Sequence, residues 1–121
     1  ELFDAVGYIA DKNFDKAYAS LTEAMRSSGD AQRLFSTLYG HFRRLLYVSV
    51  TGVAMSAADM AKALKVKEGA IRIALSQSKK FSQRRLRAIV DKLGKAESSY
   101  KSGVVLADDA VLNGIFGILV E

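Results

Sequence analysis

At 121 residues with no cysteine, the chain is long enough to bury one hydrophobic core but not a second, and it excludes disulfides, thiolate metal sites and a cysteine nucleophile. Eighteen lysines and arginines against 13 acidic residues give a formal net charge of +5, which suits polyanions or an acidic protein partner. No stretch approaches the roughly 18 apolar residues of a membrane span, and the opening Glu1-Leu2-Phe3-Asp4 has no basic leader, so a soluble, cytoplasmic protein with no membrane partner is expected.

The sequence holds no proline, a residue recruited by turns and edge strands and excluded from helix interiors; the expected fold is all-α, one domain of six to seven helices. Leu2, Phe3, Val6 and Ile9 fall at helical spacing in a first helix over 2–11. This helix opens without a cap or a starting methionine, so the chain is expected to be a fragment of a longer protein. Asn13-Phe14-Asp15 reopens a helix through Ala17, Tyr18, Leu21 and Met25, and Ser27-Ser28-Gly29 closes it, making a helical hairpin. Asp30 then caps a long third helix bearing Leu34, Phe35, Leu38, Tyr39, Phe42, Leu45 and Leu46, which Thr51-Gly52 stops. This is the expected central core helix.

Ser56, with Asp59 three residues on, starts a short helix that carries Met60, Ala61 and Leu64 and ends near Lys65. A fifth helix over 67–78 buries Ala70, Ile71, Ala74 and Leu75. Ser82 caps a sixth, on which Leu86, Ile89, Val90, Leu93, Ala96 and Tyr100 form one stripe and Arg84, Arg85, Arg87, Lys92 and Lys95 stay mostly outside. Asp108 or Asp109 begins a last helix with Val111, Leu112, Ile115, Phe116, Ile118, Leu119 and Val120. So many apolar positions mean deep burial or sharing with another chain, and Val111, Ile115, Phe116 and Leu119 are the expected subunit-interface residues.

The inventory for catalysis is poor. The lone His41 stands on the long helix as a packing or surface residue, and the glycines match neither GxxxxGK[ST] nor GxGxxG spacing. Asp108-Asp109 reads as a helix start rather than an ion site, so no catalytic residue, metal or cofactor is expected, and the domain is not expected to be an enzyme.

Residues 56–78 have the pattern of a helix-turn-helix: Ala61 allows close helix approach, Leu64 and Val66 bracket the turn, and Ile71 plugs the second helix into the first. Lys67 and Arg72 would meet phosphate, which keeps open a DNA-binding domain of a transcriptional regulator. Lys65 stands where such turns usually have glycine, and Glu68 would sit near the phosphates. The basic run continues over 72–101, where Arg72, Lys79, Lys80, Arg84, Arg85, Arg87, Lys92, Lys95 and Lys101 face only Asp91 and Glu97.

Several signals in order resemble the C-terminal helical domain of the delta subunit of bacterial DNA polymerase III, a component of the sliding-clamp loader. They are Phe14-Asp15-Lys16-Ala17, Phe42-Arg43-Arg44-Leu45-Leu46, Met60-Ala61-Lys62-Ala63-Leu64 and Ala70 to Leu75. Phe81-Ser82-x-x-x-Leu86 follows, then Tyr100-Lys101-Ser102-Gly103 and a final apolar helix. The resemblance covers nearly the whole chain, 1–121. It implies a collar module that packs beside equivalent domains of other clamp-loader subunits, ATPase and delta-prime-like, in a ring that loads the clamp onto primed DNA. It also implies that clamp contact lies in a preceding portion, that the delta protein has no working ATP site, and that it acts in the bacterial cytoplasm. The template strand's exit near this domain, implied in the same way, makes Lys67, Arg72 and Lys101 the candidates for weak DNA contact.

Overall fold

The computed structural model describes the backbone of residues 2–101 and 108–120, without the side chains at 2, 3, 28, 99–101 and 108–112. Within the described residues the chain forms α1 (Leu2–Ala10), α2 (Phe14–Ser28), α3 (Ala31–Thr51), α4 (Ala57–Leu64), α5 (Glu68–Ser78), α6 (Gln83–Lys101) and α7 (Asp108–Val120). The all-α architecture expected from the sequence is the one observed.

Local chemistry sets the boundaries. Asn13 accepts from the Lys16 amide at 3.4 Å, Asp30 from the amides of Gln32 and Arg33, Ser56 from Asp59 at 3.1 Å, and Ser82 from Arg85 at 3.0 Å. Each satisfies an amide that the first helical turn would leave without a partner, a contribution of about 1 kcal/mol per cap. At the other end of α2, Gly29 turns left-handed with φ of 68° while its amide donates to the Met25 carbonyl. Lys65 does the same after α4 with φ of 58°, its amide donating to the carbonyls of Ala61 and Lys62. The glycine usual at that turn is therefore replaced by a lysine that bears the left-handed strain itself.

The core is organised around α3, whose Ala31, Leu34, Phe35, Leu38, Phe42, Leu45 and Val48 are buried. Helices α2, α5, α6 and α7 all pack on it, α4 docks on α5, and α1 pairs with α2. Phe42 meets Phe81 edge-on at 5.8 Å between ring centroids. The α3–α6 contact includes Tyr39 against Gly94, where an added Cβ would lie 2.9 Å from the Tyr39 hydroxyl oxygen. That close approach explains a glycine in mid-helix.

Ile115 and Leu119, expected at a subunit interface, lie in this chain's own core at 0% and 1% exposure. Periodicity distinguishes an apolar face from a polar one, but not an intramolecular partner from an intermolecular one. Here α2, α3 and α6 cover those side chains. The side chain of Val111 lies outside the described residues.

Gly29→Ala should lower stability by about 1 kcal/mol, because alanine resists the left-handed turn. Gly40→Ala, on α3 with nothing within 4 Å of the added Cβ, should raise it by about 0.5–1 kcal/mol through helix propensity. Urea unfolding of both variants against wild type checks the opposite signs.

Candidate functional site

The helix-turn-helix-like segment is present as a structure. Ala61 and Ile71 are buried at 6% and 0%, and the Val66 amide donates to the Ala61 carbonyl across the turn at 3.0 Å. Lys67 is the exposed N-cap residue of α5 and makes no side-chain cap bond. Arg72 is folded back along its own helix, with Nε and Nη2 donating to one Glu68 carboxylate oxygen at 2.9 and 2.6 Å. Exposure at both partners keeps this pair weak, and it partly neutralises the cation expected to meet phosphate. The Lys101 side chain lies outside the described residues, as does that of Tyr100.

Beside this unit, the α3 surface and the α4–α5 turn enclose a groove of about 270 Å³ that includes Arg43, Arg44, Tyr47 and Val66. Arg43 lies over the Tyr39 ring at 5.3 Å, a cation–π contact that holds the guanidinium at the surface of α3. These arginines were legible in the Phe42-Arg43-Arg44-Leu45-Leu46 box, but their pairing with the turn was not, since it depends on how α4 docks.

His41 is half-buried and joins α3 to α5, with Nε2 2.7 Å from Gln77 Oε1. Its pKa lies below the ordinary 6.5: burial penalises the charged ring most, the Gln77 bond opposes that, and Arg44 adds to the lowering. An imidazole held neutral between two helices is a packing element here. No cluster of three or more histidine, aspartate or glutamate side chains forms among the described residues, and no described helix is long and apolar enough to cross a membrane.

Arg85 departs from the sequence reading. It was placed with the outer basic residues, yet it is partly buried, and Nη2 donates to the carbonyls of Ile9 at 3.2 Å and Leu119 at 3.4 Å. Its guanidinium also lies 5.2 Å from the centre of the Phe81 ring. One cation thus meets the C-terminal ends of α1 and α7, where the last carbonyls concentrate negative potential; that of Ile9 accepts from the Lys12 amide as well. Burial lowers its pKa, but an arginine stays charged at neutral pH.

At the α2–α7 corner, Phe116 is half-buried and sits edge-on to Tyr18 at 5.0 Å and Phe14 at 6.5 Å. Tyr18 is 40% exposed, and its hydroxyl donates to Asn113 Oδ1 at 3.4 Å. Of the expected interface residues with described side chains, Phe116 alone reaches the surface.

Two measurements follow from these placements. Arg85→Ala should cost about 1–2 kcal/mol of stability by removing the charged donor that two helix ends share, while exposed Arg84→Ala should stay within about 0.5 kcal/mol; denaturant titration separates them. For His41, a lowered folded pKa means the unfolded chain binds the proton more readily. Its contribution is full above pH 6.5 and is lost as pH falls through the folded-state value. The thermal midpoint of wild type should therefore fall more steeply between about pH 7 and about pH 5 than that of His41→Gln.

Among protein families, residues 1–112 match the one described as DNA polymerase III delta subunit, C-terminal domain. Among solved structures, the fold is similar to the Bacillus subtilis DNA clamp loader delta protein (YqeN), with a TM-score of 0.85 and 18% sequence identity over 98% of this chain. The chain spans 35% of that protein's chain. No curated protein matches it in sequence.

Proposed function

Because the chain belongs to the family formed by the C-terminal domain of the DNA polymerase III delta subunit, we propose that it is an assembly module of the sliding-clamp loader. As a collar element it packs beside equivalent domains of neighbouring loader subunits, ATPase and delta-prime-like ones included, and helps hold the ring that loads the clamp onto primed DNA. The family match over residues 1–112 carries this reading. The domain acts by packing, without catalytic chemistry or a cofactor of its own, in the bacterial cytoplasm. Contact with the clamp belongs to a part of the delta subunit outside this domain.

Two surfaces support a binding role. The Phe116–Tyr18 corner offers aromatic area to a neighbour, and aromatic side chains are enriched in such contacts. Lys67, exposed at the start of α5, is the strongest described candidate for a weak phosphate contact; Arg72 is second because Glu68 holds it.

The test uses the full-length delta protein, co-expressed with the other loader subunits and weighed intact by native mass spectrometry. The complete protein should enter the complex, and a version lacking this domain should not, although it still binds the clamp. Assembly without the domain would overturn the reading. In a salt series on primed DNA, Lys67→Ala should reduce the slope of log affinity against log salt by about 1 for all sequences. Preference for one duplex sequence would instead favour the regulator reading.

A further inference from the structure

The groove between α3 and the α4–α5 turn is lined by Gly40, Arg43, Arg44, Tyr47, Leu64 and Val66, and among the described residues no carboxylate lines it. Arg72 and Lys95 are held by carboxylates on their own helices. Arg43 and Arg44, by contrast, make no ion pair and no hydrogen bond among the described residues. We infer that this groove binds single-stranded DNA, with one base stacked on the Tyr47 ring and the phosphates on either side of that base on Arg43 and Arg44. The inference deepens the weak DNA contact of the reading above, giving it a site and a strand form.

Three features select this occupant. The first is the order of groups around α3. Successive helical residues are turned by about 100°, so Arg43 and Arg44 flank a stripe, and Tyr47 falls between them, about 40° from Arg43 and about 60° from Arg44. Gly40 falls in the same sector, one turn before the arginines. An aromatic face between two unpaired cations matches the succession phosphate, base, phosphate along a single strand. An acidic peptide would satisfy the two cations and leave the ring without a matching flat group.

Second, Arg43 is positioned before a ligand arrives. Its guanidinium lies over the Tyr39 ring at 5.3 Å, and the Tyr39 hydroxyl is set against Gly94 of α6. The contact restrains a long side chain while its N–H donors meet no acceptor among the described residues, so little further freedom is lost when a phosphate takes them.

Third, the shape admits a strand and not a duplex. A Cβ added at Gly40 would meet nothing within 4 Å, so a flat ligand can reach the surface of α3. Leu64 and Val66, both half-buried, wall the other side. A base inside a duplex is stacked on both faces and cannot reach Tyr47. Lys65 and Lys67, exposed on the same turn and without a carboxylate partner among the described residues, continue the positive surface beyond the groove, which suits a backbone that runs on rather than a single anion.

The test is made on the full-length delta protein. An oligothymidylate of about ten nucleotides should bind more tightly than a duplex of equal length, although the duplex carries the denser charge. An oligomer bearing iodouracil should crosslink to Tyr47 on irradiation. Tyr47→Leu, which keeps the apolar volume, should weaken single-strand binding by about tenfold, and Tyr47→Phe should restore it, because the ring face and not the hydroxyl holds the base. Arg43→Gln combined with Arg44→Gln should lower the slope of log affinity against log salt by about 1.4, at about 0.7 for each single-strand phosphate. Lys79→Gln combined with Lys80→Gln, beyond the far end of α5, should change neither affinity nor slope. Unchanged thermal melting shows that a loss of binding is not unfolding; should Tyr47→Leu melt early, the crosslink and the arginine pair decide.

Equal or tighter binding of duplex, a folded Tyr47→Leu variant of unaltered affinity, or crosslinks that map only elsewhere would overturn the inference. So would a free mononucleotide or polyglutamate that competes as well as the strand at equal charge concentration, since either would name a different ligand. All of these leave the assembly reading intact. Failure of the unaltered protein to join the loader would overturn that reading, and the groove would still be decided by the strand measurements.

Discussion

The burial of α3 is the constraint on which the rest of the molecule depends. A helix of 21 residues is about 31 Å long, enough to cross a small domain, and its buried residues recur at intervals of three and four along nearly its whole length. Four other helices use it as a common partner. Without Phe42 at its middle, α5 and α6 would lose the ring against which Phe81, at their junction, packs. Helix α1 belongs to an outer tier: it pairs mainly with α2, and Arg85 ties its Ile9 carbonyl to the rest.

This hierarchy explains what the sequence could and could not disclose. Asn13, Asp30, Ser56 and Ser82 mark helix starts because a cap acts over three residues, and the whole interaction is written locally. The apolar stripes of α3 and α6 are equally local, so the all-α fold and its central helix were readable. Arg85 was not, since its acceptors lie 76 and 34 residues away, and in sequence it is one basic residue among six on the same helix. The same limit governed α7. Its surplus of apolar residues was visible, but the choice between the chain's own core and a neighbour's surface is made by tertiary packing.

Gly94 and Lys65 show two further ways in which context overrides local preference. A glycine inside α6 costs about 1 kcal/mol of helix propensity, accepted because Tyr39 lies against it. A lysine in left-handed conformation after α4 is strained, yet its amide finds two carbonyls there and the turn brings Val66 onto the α4 end. Both positions look unfavourable when read alone. Each is compensated by a contact that forms only once two helices have met.

The α4–α5 unit separates shape from use. A helix-turn-helix reads DNA through the first turns of its second helix, whose polar side chains enter the major groove. Here that end presents Lys67 beside Glu68, and Arg72 is turned back onto the same carboxylate. The outward face then continues to Ile73, an aliphatic side chain 49% exposed at a position where base readout needs a donor or acceptor. Meanwhile Ile71, Ala74 and Ser78 are buried on the face that meets α3, and His41 reaches Gln77 across the same contact. The unit is therefore built to be held by α3. Ala61, Leu64, Val66 and Ile71 form the motif because two short helices joined by a tight turn need small and apolar residues at those places, whatever lies opposite their outer face.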